Sequence, residues 1–168
     1  MIVRRRLSED RQGSVSVEFA IWTIIIFFGF LPVLDFAAYL IEEQNLSTAV
    51  TDAALVAYDQ RNAASLGTDQ IKAYVTGSTG LGSGQVNATL TCNGGLQSCS
   101  TAASSRTCAC VSGSPATYSA SACGSTCASG AQSGFYITVQ ASHTHSSLVV
   151  NPWLDGTIIT NATTVRLQ

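Results

Sequence analysis

The sequence predicts an α+β protein: a long N-terminal helix, with a transmembrane half and an amphipathic half, packed on a small antiparallel-sheet head with a disulfide-rich loop region. Three observations predict it. Phe19 to Leu34 is sixteen residues without a charge. A helical stripe of leucine, valine and alanine follows, and strand-like alternation flanks a stretch that holds all six cysteines.

At 168 residues, 46% hydrophobic and only 11% charged, the chain fits one modest domain plus an appendage. Four of its eight basic residues, Arg4, Arg5, Arg6 and Arg11, crowd the first eleven positions. From Ser14 onward four basic residues face eight acidic ones. Such a body has no basic stripe to displace counterions from phosphates, so no nucleic-acid partner is expected.

The charge-free run extends helically through Asp35 to Ile41, giving a span of 23 residues over 19–41. About 20 residues cross a hydrocarbon core of roughly 30 Å, so membrane lipid is an expected partner. Arginines ahead of the span leave the N-terminus cytoplasmic and everything beyond about Ile41 outside. A cleaved secretory signal shares this start, but the small-residue site near Phe36-Ala37-Ala38 is weak, and a cut there would divide a continuing helix. Pro32 removes one backbone hydrogen bond and predicts a kink, with Gly29 adding to the weakness.

Glu18 stands at the mouth of this run, where a carboxylate is either a snorkelling acid or a counter-ion. Cutting after Gly13 would give Ser14 a free amine, with a pKa of about 8. Glu18, roughly one turn on, could pair with that amine or with a neighbouring subunit's. Here the residues carry a resemblance. The arginine-rich leader, Gly13, four small or apolar residues, Glu18, the aromatic Phe19 and the long apolar helix resemble a type IV prepilin processing site. More narrowly, the chain resembles the TadE-like pseudopilins, minor components of tight-adherence (Tad/Flp) pilus systems. The endings FYITVQASHTHSSLVVNPW and TIITNATTVRLQ are also similar, more loosely; the cysteine-rich middle is not covered.

That resemblance implies a membrane prepilin peptidase cutting after Gly13, and Glu18 aiding assembly. It implies other pilin or pseudopilin subunits and the inner-membrane assembly machinery as partners. It implies a single-pass protein of the inner (cytoplasmic) membrane with a periplasmic or extracellular head, acting in pilus assembly and surface adhesion. Phe19, where the major Flp pilins carry tyrosine, and the chain's greater length fit a minor subunit. The expected organisation is a basic leader over 1–13, a long helix over 14–66, and a head over 67–168 with a cysteine-rich insert at about 92–134.

Above the span, Leu46, Val50, Ala53 and Ala57 recur at helical spacing with Ala49 and Ala54 beside them, while Glu42, Glu43, Asn45, Asp52 and Asp59 fall mainly elsewhere. This is an amphipathic stripe for packing on the head. Gly67 ends the section; Thr68 is expected to cap a second helix through Val75, closed by Gly77, with a glycine-rich connector to Gly84. Val86–Cys92 and Phe135–Ala141 alternate as strands, and Thr157–Leu167 is rich in β-branched residues. Asn151-Pro152 and Asp155-Gly156 mark turns.

Between Asn93 and Gly134 only Leu96, Val111 and Tyr118 are large apolar or aromatic residues, too few to offset the ordering entropy. Outside the cytoplasm, Cys92, Cys99, Cys108, Cys110, Cys123 and Cys127 therefore read as disulfides. Cys108 and Cys110 are poorly placed to bond each other; Cys92–Cys99 and Cys123–Cys127 are candidate local loops. CAC and CGSTC lack the paired C-x₂-C of a zinc knuckle or of a thiol oxidoreductase, so no metal is expected. His143 and His145 could share one strand face and bind a metal, but two histidines in a turn-adjacent stretch read as ordinary surface residues. With no nucleophile–base pair, phosphate loop or cofactor motif, the chain is expected not to be an enzyme. The alternative to a pilin-like subunit is a membrane-anchored or secreted disulfide-rich binding module, such as an adhesin, that forms no filament.

Overall fold

The computed structural model describes residues 11–62, 67–81, 84–99, 106–147 and 154–168. Its first element, α1, is one helix of 49 residues, Arg11–Asp59, prolonged by a 3-10 turn over Gln60–Asn62. It runs on through Pro32, although the ring removes one donor from the ladder. Residues 63–66, the expected end of the helix, lie outside the described residues, as do Arg4 to Arg6 and the Asn151-Pro152 turn.

The upper stripe of α1 is buried as its spacing predicts. Leu46, Ala49, Val50, Ala53, Ala54 and Ala57 are all no more than 3% exposed. A second helix, α2 (Thr68–Ser78), packs Ile71 and Val75 into the same core. Its ends differ from expectation. Gly67 occupies the N-cap position, and no side chain caps the helix there. Gly77 lies inside the helix rather than closing it; the chain leaves through Thr79 and then Gly80, whose φ is +68°. Only glycine takes that left-handed conformation without steric cost, so Gly80 is the better stop.

Five strands follow: β1 (Val86–Cys92), β2 (Cys108–Ser112), β3 (Thr117–Ser121), β4 (Tyr136–Thr144) and β5 (Ile158–Arg166). Three form an antiparallel sheet in the order β1-β4-β5. In its register Leu90 lies opposite Val139, and Val139 opposite Thr163. The inner face, led by Phe135 and followed by Ile137, Val139 and Ala141, is fully buried with the α1 stripe. Removing this apolar surface from water is the main force holding head to helix. The Asp155-Gly156 turn forms as read, with Gly156 at φ +75°.

The cysteine-rich insert holds more structure than its composition suggested. β2 and β3 pair as a separate hairpin, and Ala109 exchanges two backbone hydrogen bonds with Gly134, at 2.8 and 3.1 Å. Cys108 and Cys110, two apart on one strand, share a side, and the returning chain passes it. They bond Cys123 and Cys127 respectively. The expected Cys123–Cys127 loop is therefore wrong: each of those thiols has a partner on β2. Cys92–Cys99 closes a local loop as read. Asn93, buried and at φ +49°, ties the insert to the sheet by donating to Thr107 O and accepting from Tyr136 N.

Non-reducing peptide mapping should return the pairs 92–99, 108–123 and 110–127, and a peptide joining Cys123 to Cys127 would contradict the hairpin. Leu46→Ala should destabilise the head by about 2–5 kcal/mol in denaturant unfolding. Gly94→Ala should also destabilise it, because Gly94 sits at φ +64° with the Tyr118 ring where a Cβ would go.

Candidate functional site

Two features of α1 stand apart from the core: a bare apolar rod and a buried polar cluster at its upper end. From Val15 to Leu34 every side chain is exposed except that of Thr23, which is partly so. Thr23 Oγ1 donates to Phe19 O at 2.8 Å, so its polar group is satisfied within the helix itself. These 20 residues rise about 30 Å at 1.5 Å each, the depth of a hydrocarbon core. By length and composition α1 can cross a membrane once.

The processing residues lie at the foot of the rod. Gly13 has no neighbouring atom within 4 Å of where a side chain would start. Ser14 falls within the helix, four residues before Glu18, a spacing that puts both on one face. Glu18 is exposed, and Phe19 is 73% exposed. Pro32 lines a shallow apolar recess with Phe27, Phe28 and Leu31.

The bare stretch is offset from the expected span over 19–41 because the head reaches down α1 as far as Asp35. Asp35, wholly buried, accepts a hydrogen bond from Ser147 Oγ at 2.8 Å. Two turns above, Glu42 meets both histidines of the chain. His145 Nδ1 lies 2.7 Å from Glu42 Oε2, and His143 Nε2 lies 3.5 Å from the same oxygen. His145 Nε2 stands 3.7 Å from Asp35 Oδ1, while His143 Nδ1 faces Gln85 O at 3.1 Å. The Tyr39 ring meets His145 edge-on, 5.5 Å between centroids.

The expectation that His143 and His145 are surface residues is overturned: they are 4% and 1% exposed. The signal was present in the alternation. Phe135, Ile137, Val139, Ala141, His143 and His145 are every second residue, so all six occupy one face of the strand. A polar ring is tolerated at the end of that face because α1 presents two acids to it. Asp35 and Glu42, seven residues apart, continue the buried stripe one polar step below Leu46.

Fold and site together define a class of molecule: a single apolar rod, bare over the depth of a bilayer, gripped above by a disulfide-bonded α+β head. Over residues 13–55 the chain matches the model of the TadE-like protein family. The match opens at Gly13, takes in Glu18, Phe19 and the whole rod, and ends within the buried stripe, in keeping with the resemblance those residues carry. No curated protein matches the chain, and no solved structure does.

If the rod is a lipid-crossing element, a lysine at its middle should be poorly tolerated. Ile25→Lys should impose a cost of about 2.5–3.5 kcal/mol on insertion, read as loss of carbonate-resistant protein from the membrane fraction, while Ile25→Leu should leave that fraction unchanged.

Proposed function

We propose that this protein is a minor pilin-like structural subunit of a Tad/Flp-type pilus. The TadE-like match over residues 13–55 supports a Tad pilus-associated protein. The observation that carries the finer reading is the bare rod with Gly13 at its foot and Glu18 one turn inside. A prepilin peptidase would cut after Gly13, in the first turn of α1, where backbone N–H groups have no partner within the helix. The new amine of Ser14 would then stand on the same helical face as Glu18.

Within a bilayer that amine has few anions to meet, so Glu18 of the same or a neighbouring subunit becomes its counter-ion and sets the axial register of packed rods. Leader arginines retained on the cytoplasmic side, and cystines formed on the other, fit a single-pass protein of the inner membrane with its head in the periplasm or outside. Other pilin or pseudopilin subunits and the inner-membrane assembly machinery are its partners. Its contribution to adhesion would come from the head.

The role is structural rather than catalytic. The one histidine–carboxylate cluster among the described residues is enclosed between α1 and β4, with Asp35 and His145 at 0% and 1% exposure, and offers no surface to a substrate.

N-terminal sequencing of the mature chain, with and without the cognate peptidase, tests the reading. The mature chain should start at Ser14 only when the peptidase is present; Met1 retained in both would overturn it, and a start some forty residues in would indicate a cleaved signal and a free binding module. Glu18→Ala should still be cut but should lose most of its co-purification with sheared pili.

A further inference from the structure

The polar cluster at the top of the rod raises a question of proton count. Each ring nitrogen of His143 faces an atom that only accepts hydrogen bonds: Gln85 O at Nδ1 and Glu42 Oε2 at Nε2. A neutral imidazole has one N–H and one lone pair. Neutral His143 would therefore turn a lone pair toward a carbonyl or a carboxylate. His145 has the same arrangement: Nδ1 on Glu42 Oε2, and a buried Nε2 that makes no hydrogen bond among the described residues and has Asp35 Oδ1 3.7 Å away. Two imidazolium rings would hydrogen-bond through Nδ1 and face a carboxylate through Nε2 at 3.5 and 3.7 Å, and two carboxylates balance their charge.

We infer that Asp35, Glu42, His143 and His145 form a proton-dependent latch that fastens the lower edge of the head to α1 where the rod leaves the membrane. With both imidazoles doubly protonated, the cluster is neutral overall: the two Nδ1 donors meet Gln85 O and Glu42 Oε2 at hydrogen-bond distance, and the two Nε2 atoms stand at ion-pair distance from Glu42 and Asp35. Loss of one proton from each ring leaves it with a single N–H and a lone pair turned toward a carbonyl or carboxylate, beside a wholly buried Asp35 and a partly buried Glu42, and uncoupling a buried ion pair in this way is destabilising. The apolar seam above, from Leu46 to Ala57, contains no titratable partner in the latch and stays closed. The expected motion is local: the end of β4 and Ser147 lift away from Asp35 while the upper head remains docked. Glu42, whose side chain is 21% exposed, gives the protons a way out to solvent.

Among the described residues, few titratable groups face the histidines. Asp35, Tyr39 and Glu42 come from α1, and Asp155 approaches from the connection to β5, accepting from Ser147 N at 3.2 Å. The sign follows from proton linkage. The latched form holds ring protons that the opened form releases, so acid favours closure and base favours opening.

The chain contains only two histidines, so every imidazole signal belongs to the latch. The full chain, ¹⁵N-labelled at histidine and held in lipid nanodiscs, should show protonated shifts at all four ring nitrogens at pH 5.5. Between pH 5.5 and 8 its midpoint of thermal unfolding should fall by roughly 5 °C. Amide exchange should speed up at residues 143–147 relative to the centre of β4. A His143→Asn, His145→Asn double variant should lose most of that pH slope. Neutral rings at pH 5.5 with the head folded, or an undiminished slope in the double variant, would overturn the latch. Should the double variant not fold, the ring shifts of the unsubstituted chain decide alone. None of these readouts depends on a pilus or a peptidase, so the latch can fail while the pilin reading stands, and the reverse.

Discussion

One stripe along one helix holds this molecule together. From Asp35 to Ala57, α1 offers a single face to the head, and everything else in the fold is arranged around it. The upper part of that face is small and apolar, which lets β4 and β5 lie close over the helix, with α2 closing the flank. The lower part is acidic and is met by the two histidines that continue the inner face of β4. Below it the helix is bare for 20 residues. The same helix is thus core on one stretch and bare and apolar on the next.

The disulfides act on a different part of the problem. The insert between β1 and β4 has almost no large apolar side chains of its own, yet it holds a hairpin and two cystines that join it. Two cystines clamp β2 to the returning chain, and Asn93 and Arg106 bind the insert to the rest. Arg106 donates to Arg61 O at the end of the helical region and lies over the Phe135 ring, 5.6 Å from its centroid. Crosslinks shrink the unfolded ensemble of such a segment, so order is reached without a second hydrophobic core. Structural cystines of this kind persist in an oxidising compartment.

Much of this was legible in the chain. The rod follows from a charge-free run of sixteen largely apolar residues, which its helical flanks lengthen to the depth of hydrocarbon. The stripe from Leu46 to Ala57 follows from helical spacing, and β1 and β4 from alternation. Gly13, Glu18 and Phe19 stand out by their spacing ahead of the rod, and the structure leaves Gly13, Glu18 and Phe19 open at its foot. The β2–β3 hairpin was not legible, because apart from the paired Val111 and Tyr118 its strand residues are alanine, cysteine, serine and threonine and show little contrast between faces.

Local chemistry by itself determined the elements that depend on near neighbours in sequence: the rod, the two helices, the strand alternation, and the closing of the seven-residue Cys92–Cys99 loop. Tertiary structure alone decided which cysteines of the insert meet, because partners 15 and 17 residues apart are chosen by the path of a hairpin rather than by spacing. It also decided the fate of the histidines. A polar residue on an alternating strand is read as surface unless acids wait opposite, and those acids lie more than a hundred positions upstream, brought to the strand only when the head folds back onto its rod.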